Sequence, residues 1–192
     1  MARTKEFDPD AVLQRALELF WRKGYEATSM ADLVEHLGIG RASIYATYGS
    51  KQELYRKAFD RYLENGVDFA GILSQPGPVL PAVRALVERF ADDASQDTDR
   101  MGCFAVNTAV ELVAHDEVLA CKVASNWDSI EATLVSALTR ARAQGELPAD
   151  RDARELARFL LVVLQGMRLV GKASDDPARI RAAAEVALGA LR

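Results

Sequence analysis

The chain has 192 residues, of which 49% are hydrophobic and 27% are charged, and its formal net charge at pH 7 is −4. This composition is typical of a globular protein with a sizeable core and excludes disordered or fibrous chains. The longest apolar run, Phe159 to Leu164, is far shorter than the roughly 18 residues of a membrane span, so we expect no membrane anchor. The two cysteines, Cys103 and Cys121, are too few for a disulfide framework, which favours a cytoplasmic protein.

Apolar residues recur at helical spacing along most of the chain, and no segment alternates as a strand does. This pattern predicts an all-α protein of about nine helices. Asp8 and Pro9 are typical of a helix start, and Gly24 is placed to end that first helix. Because the net charge carries no global signature of nucleic-acid binding, any such function must rest on local charge.

Two short helices separated by a glycine-containing turn are predicted next. Ser29 begins the first of them with a capping-box pattern, and the second runs from about Arg41 to Thr47. Together with the helix that follows, they form the pattern of a helix-turn-helix, whose second helix enters the DNA major groove. Arg41 can read a guanine edge or a phosphate, and Tyr45 and Lys51 suit phosphates. On spacing alone, the alternative is a solvated helical surface.

The rest of the chain divides into further helices. Ser50 with Glu53 predicts another capping box, and we expect the inner side of that fourth helix to carry Leu54, Ala58, Tyr62 and Phe69. The turn formers at 74–78 mark the clearest loop. Beyond it, helices are predicted near residues 80–94, 103–114, 117–143, 153–172 and 178–191.

Three sub-motifs occur in order in the first third of the chain: ALELF at 16–20, GYEATSM at 24–30 and IYATYGSKQEL at 44–54. In this order and spacing they resemble the DNA-binding domain of TetR-type repressors. The resemblance implies a three-helix DNA-binding domain over residues 1–53, with a connecting helix from about residue 51, and a larger helical ligand-binding and dimerisation domain over 54–192. It implies a DNA-binding set made of Ser29, Gly40, Arg41, Ser43, Tyr45, Thr47 and Lys51.

One segment departs from the family pattern. Ala46-Thr47-Tyr48 stands where many members have an aromatic-His-Phe run, which puts the contacts of that aromatic and that His in doubt. Tyr48 can still fill the packing site of the Phe, and we assign Tyr25 and Tyr48 mainly to the core of the small domain.

The resemblance also implies partners: double-stranded operator DNA, a second copy of the chain, and a small-molecule inducer that releases the repressor. No cofactor is implied. The last two predicted helices carry apolar stripes that the family uses for dimerisation, and the alternative is that both stripes belong to the core of one protomer. The predicted dimer contacts are Leu156, Leu160, Val163, Met167, Ala183 and Ala187.

The segment from Met101 to Glu111 contains a polar line within an otherwise apolar helix. Cys103, Asn107 and Glu111 fall at i, i+4 and i+8, on one helical face, with Cys103 in the first turn, where helix amides lower the pKa of a thiol. This segment is similar to that of a TetR-type branch that includes regulators responding to oxidants or electrophiles. We therefore hypothesise that modification of Cys103 weakens operator binding; the alternative is a buried structural thiol.

Candidate ligand-binding or sensing residues follow from the same resemblance. They are Cys103, Phe104, Asn107, Glu111, Trp127 and Met167, with Phe69, Phe90 and Phe159 as further aromatic candidates for a pocket.

Other classes of function find less support in the sequence. A metal site is not predicted, because the cysteines and the two histidines, His36 and His115, show none of the short ligand spacings of a zinc site. An enzyme using Cys103 as nucleophile and His115 as base would need a nucleophile elbow, a phosphate loop or a paired acid/base motif, and no such motif is found. A helical interaction module without DNA binding is opposed by the residue types of the third helix.

Overall fold

The computed structural model describes residues 7–192, and in this range the chain folds into ten α-helices without a strand. The helices are α1 (Pro9–Lys23), α2 (Met30–Leu37), α3 (Arg41–Tyr48), α4 (Lys51–Glu64), α5 (Phe69–Leu73), α6 (Leu80–Ser95), α7 (Phe104–Glu111), α8 (Glu117–Ala143), α9 (Ala153–Ala173) and α10 (Pro177–Gly189). The all-α prediction is confirmed. Phe69, predicted to lie on the fourth helix, instead begins the short helix α5, because α4 ends at Glu64 and Asp68 caps a new turn.

Local capping sets the boundaries of the early helices. The Ser29 hydroxyl accepts a hydrogen bond from the Asp32 N–H, and the Ser29 N–H donates one to the Asp32 carboxylate, so the capping box of α2 is complete. Ser50 likewise accepts a hydrogen bond from the Glu53 N–H at the start of α4. The second half of that predicted box does not form among the described residues, because the Glu53 carboxylate pairs with Arg56 at 2.5 Å.

One hydrophobic cluster joins the helix-turn-helix to the middle of the chain. It includes Phe20 of α1, Tyr55 of α4 and Phe104 of α7, all nearly inaccessible to solvent. The ring of Tyr55 lies 5.0 Å from that of Phe20 and 5.2 Å from that of Phe104, centroid to centroid. The core of α1–α4 therefore continues across the boundary predicted at residue 53 and includes α7.

A second cluster holds α5, α6, α9 and α10 together with the later part of α8. Helices α6 and α9 approach closely at Gly171, where an added Cβ would lie 2.4 Å from the carbonyl oxygen of Ala94. No helix of residues 7–192 combines the length and apolar character that a membrane crossing requires.

This second cluster contains four of the six predicted dimer contacts. Four residues of that set, Leu156, Leu160, Met167 and Ala187, are buried inside the protomer. They pack in the cluster formed by α6, α8, α9 and α10. Val163 is half-buried and Ala183 is exposed.

Candidate DNA-binding surface and regulatory cavity

Helix α3 presents its polar side chains outward because two apolar residues fix its inner face. Ile44 and Tyr48 are buried, and the Tyr48 hydroxyl donates a hydrogen bond to the Pro9 carbonyl at 2.7 Å. The predicted packing role of Tyr48 is thus matched by its position. On the outer side, Arg41 and Tyr45 are exposed.

The exposed pair on α3 is mutually ordered. The Arg41 guanidinium lies 5.5 Å from the Tyr45 ring centroid and donates a hydrogen bond to the Tyr45 hydroxyl at 3.3 Å. Ser43 and Thr47 are half-buried on the same helix. Gly40 occupies the position just before the helix, and no other atom of the described chain lies within 4 Å of the point where a Cβ would be. A basic group and hydroxyl groups therefore share one short exposed helix.

Lys51 lies at the first position of α4, beside an aromatic ring that the sequence assigned mainly to the core. Its ammonium is 4.1 Å from the ring centroid of Tyr25, and that ring packs edge-on against Tyr55 at 5.2 Å. Burial is the main cause that raises the pKa of Tyr25, followed by the nearby Glu26 carboxylate. Tyr25 thus both packs in the core and positions Lys51, a role with no separate sequence signal.

Ser29 uses its hydroxyl within the protein. It contacts the Asp32 carboxylate at 2.6 Å, and that carboxylate also pairs with Lys23 at 2.7 Å. The hydrogen bonds from Lys23 and then from Ser29 hold the pKa of Asp32 well below its usual range. The exposed start of α2 is therefore ordered by a charge network before any partner binds.

An ion pair joins α4 to the start of α8. The Arg56 guanidinium donates to both carboxylate oxygens of Asp116, at 3.1 and 3.0 Å, and Gln52 donates to the same group at 3.0 Å. Burial raises the pKa of Asp116, but the hydrogen bonds from Arg56, from the Leu119 N–H and from Gln52 outweigh it and lower the value to about 2. Asp116 is thus a buried, ionised anchor for the DNA-binding head.

The polar line of α7 is occupied by the protein itself. The Asn107 amide donates to the Met101 carbonyl at 3.0 Å, and the Glu111 carboxylate binds two backbone N–H groups of the α1–α2 turn. The sequence predicted that Cys103 lies in the first turn of α7. In the structure it lies one residue before the helix, at the N-cap position. Its backbone is extended because the helix begins only at Phe104, and its sulfur lies 3.3 Å from the Tyr62 hydroxyl.

A cavity of about 360 Å³ opens between the α4–α5 connection, α6, α8 and α9. Phe69, Phe90 and Cys103, three of the pocket candidates, line it. Its wall is mixed, with aromatic and aliphatic groups beside amides, hydroxyls, one guanidinium and the carboxylates of Glu64 and Asp68. The groups with distinctive chemistry are Tyr62, Phe69, Phe90, Cys103, Gln165 and Arg168.

The other candidates lie elsewhere. Phe104 and Met167 are buried in the two cores, and Trp127 packs against the first core. Phe159 is exposed on α9. Gln165 and Arg168 of the cavity were missed, since a polar residue on an amphipathic helix gives no sequence signal of whether it faces solvent or a cavity.

The described part of the chain contains neither a disulfide bond nor a cluster of metal-ligating side chains. Both cysteines are free, Cys103 buried and Cys121 exposed. No group of three or more His, Cys, Asp or Glu side chains within residues 7–192 is close enough to hold a metal ion.

Comparison with known families covers most of the chain. Residues 12–58 match the family model described as "Bacterial regulatory proteins, tetR family", and residues 79–187 match "Tetracyclin repressor-like, C-terminal domain". The HTH-type transcriptional regulator YezE of Bacillus subtilis (strain 168) is 38% identical, with 100% of both chains covered. The HTH-type transcriptional repressor ComR of Escherichia coli (strain K12) is 34% identical, over 87% of this chain and 80% of its own.

A solved structure resembles the whole chain. It is a cysteine mutant of the TetR family transcriptional regulator CifR, complexed with 26 bp double-strand operator DNA, with a TM-score of 0.85, 31% identity and 100% of both chains covered. The full-length relatives and the two family models indicate the same family, and the exposed polar face of α3 fits DNA binding. This chain belongs to the TetR family and is a DNA-binding transcriptional regulator.

Proposed function

We propose that the protein is a repressor that binds operator DNA as a homodimer and is released when its cavity is occupied or its thiol is modified. The observation that carries the proposal is the position of Arg41 and Tyr45, which lie side by side on the exposed face of α3. Lys51 adds a cation at the N-terminus of α4, where backbone amides favour phosphate binding. The proposed DNA-binding set is Ser29, Gly40, Arg41, Ser43, Tyr45, Thr47 and Lys51.

The proposed roles within this set differ. Arg41 and Tyr45 share one surface, so we assign base-edge or phosphate contact to Arg41 and phosphate contact to Tyr45. Among the described residues Lys51 has a ring beneath it but no acceptor partner, which leaves its N–H groups able to bind a phosphate. The ComR relative is named a repressor, which supports the proposed sign of regulation.

For the dimer we propose the outer face of α9 and α10. Its large apolar side chains are exposed in the protomer, which is the mark of a partner surface. They are Phe159, Val162, Leu169, Val170 and Val186. Val163 and Ala183, from the set predicted by sequence, lie on the same two helices and are retained. A two-fold dimer would place two α3 helices in successive major grooves.

Release is proposed to act through α7. Cys103, at the start of α7, lines the cavity, and Glu111, at its end, holds the turn that precedes α2. A ligand that prefers a shifted α7 would therefore favour a head arrangement that cannot bind DNA. A reagent reaching the Cys103 thiol would have to enter the same cavity, because the thiol is otherwise buried and contacts Tyr62.

The proposal is tested by selecting fragments of the source genome on the purified protein and measuring their binding by gel shift. We expect tight binding to a two-fold symmetric site, which weakens steeply with added salt. Failure to bind any fragment at low salt would contradict the repressor function and favour a helical interaction module. Treatment with an electrophile should release wild type but not Cys103→Ser; equal release of both would contradict the thiol hypothesis.

A further inference from the structure

We propose that the cavity binds a small organic acid, whose carboxylate pairs with the guanidinium of Arg168 and whose apolar body lies against Phe69 and Phe90. This inference rests on the proposed role of the cavity as the regulatory site and gives the chemical class of its ligand.

The guanidinium of Arg168 is poorly satisfied by the protein. Among residues 7–192 it makes one hydrogen bond, to the Asp93 carboxylate at 3.4 Å, and its Nε is shielded from water with no acceptor. The group lies 4.3 Å from the Phe90 ring centroid, which holds it in place without accepting its N–H groups. A donor that is shielded from water and has no acceptor is unfavourable, so an incoming acceptor is favoured.

Gln165 supplies a second polar group on the same wall. It lies one turn before Arg168 on α9, and residues at this spacing share a helical face. Its Oε1 is buried and has no partner in the described chain. Since the amide can present either its oxygen or its NH2 group after rotation, it can serve the second oxygen of a carboxylate or a hydroxyl beside it.

The charged side chains of the cavity lining differ in their exposure to solvent: the Arg168 guanidinium is largely buried, and the two carboxylates of the lining are exposed. Arg168 is the one cationic residue among the lining side chains of the described chain. Glu64 and Asp68 are exposed at the mouth, where water and salt screen them, and Asp68 already accepts the Gly71 N–H at 2.8 Å. Tyr62, at the inner end, is neutral, because burial and then the adjacent Cys103 raise its pKa well above the usual value.

Carboxylates are the best match to such a donor set. A planar guanidinium binds a carboxylate through parallel N–H···O bonds, and burial strengthens them. The aromatic pair Phe69 and Phe90, whose ring centroids are 5.7 Å apart, supplies the apolar wall. A volume of about 360 Å³ lies at the small end of ligand pockets, which indicates a compact acid rather than a long-chain lipid.

The test uses calorimetric titration of the full-length protein with benzoate, phenylacetate and hexanoate, each beside its neutral amide, and with phenethylamine as a cationic probe. We expect at least one acid to bind at least tenfold more tightly than its amide. Arg168→Gln should weaken that acid at least tenfold, and Arg168→Lys should weaken it less. Arg154→Gln is the matched control, since Arg154 is exposed on the same helix, about 21 Å along it.

Equal binding of acid and amide, tighter binding of phenethylamine, unchanged affinity in Arg168→Gln, or no binding by any acid would each overturn the inference. Thermal unfolding of the free variants shows whether Arg168→Gln remains folded, and Arg168→Lys serves as the reporter if it does not. Operator gel shifts separate the two proposals. If the acid binds through Arg168 but leaves DNA bound, the regulatory role fails while the ligand class holds.

Discussion

Glu111 and Tyr25 are joined by a hydrogen bond that connects α7 to the turn between α1 and α2. Glu111 Oε2 accepts the Tyr25 N–H at 3.0 Å, and its Oε1 accepts the Glu26 N–H at 2.8 Å. Gly24 precedes them with a φ of +84°, and a Cβ there would lie 3.1 Å from Glu111 Oε2, so the turn requires glycine for both its conformation and this approach. The same turn carries the Tyr25 ring that supports Lys51.

Replacing Glu111 by Gln should loosen this connection, because an amide offers one carbonyl oxygen where the carboxylate offers two acceptors. We expect a loss of about 1–3 kcal/mol in the free energy of unfolding. Hydrogen exchange should accelerate at the Tyr25 and Glu26 amides more than in α9. Glu88→Gln, an exposed substitution on α6, is the control. Unchanged exchange at both amides in Glu111→Gln would show that the contact does not hold the turn.

The Arg56–Asp116 pair predicts a specific acid sensitivity. The pKa of Asp116 is lowered to about 2 from its ordinary 3.8, so its contribution to stability is complete above about pH 4 and disappears as the pH falls towards 2. The difference corresponds to about 2 kcal/mol. Asp116→Asn should be destabilised by about this amount in urea unfolding at pH 7, and the gap from wild type should close below pH 3. A difference in stability between wild type and Asp116→Asn that does not change with pH would contradict the lowered pKa of Asp116.

Close packing of α6 on α9 is tested at Gly171. Alanine there would bring a Cβ to 2.4 Å from the Ala94 carbonyl oxygen, so we expect a loss of about 1–3 kcal/mol despite the better helix propensity of alanine. Gly166→Ala on the same helix is the matched control, because nothing in the described protomer lies within 4 Å of its Cβ. Thermal unfolding should separate the two variants, and equal stability would mean that α9 can shift at no cost.

If the dimer forms through the outer face of α9 and α10, a charge placed on that face should weaken it. Val162, 69% exposed on α9, is replaced by Glu to place a charge in the proposed interface. We expect at least a tenfold increase in the dimer dissociation constant, measured by analytical ultracentrifugation, with unchanged helical circular dichroism. Val110→Glu, on α7 and 77% exposed, should leave the dimer intact. A Val162→Glu protein that stays dimeric at wild-type concentrations would place the interface elsewhere.

What could be predicted from the sequence was local. The bounds of α8 agree with the predicted helix at 117–143, because periodicity and capping are properties of neighbouring residues. Which face of α9 is buried depends on α6 and α8, so the sequence alone could not show that four of the predicted dimer contacts are buried within the protomer. Glu111 reaches a turn 86 residues earlier in the chain, and such a contact leaves no trace in the spacing of a single sequence.

The claim that α3 and the start of α4 bind operator DNA is tested most directly by fluorescence anisotropy on a selected operator across a salt series. Wild type should bind tightly at low salt with a steep fall in affinity as salt rises, and Lys51→Ala should reduce the slope by about 1 per lost phosphate contact on any sequence. Arg41→Ala should also change the preferred sequence if it reads a base edge. Variants at both positions that bind like wild type, with the same salt slope, would contradict the account.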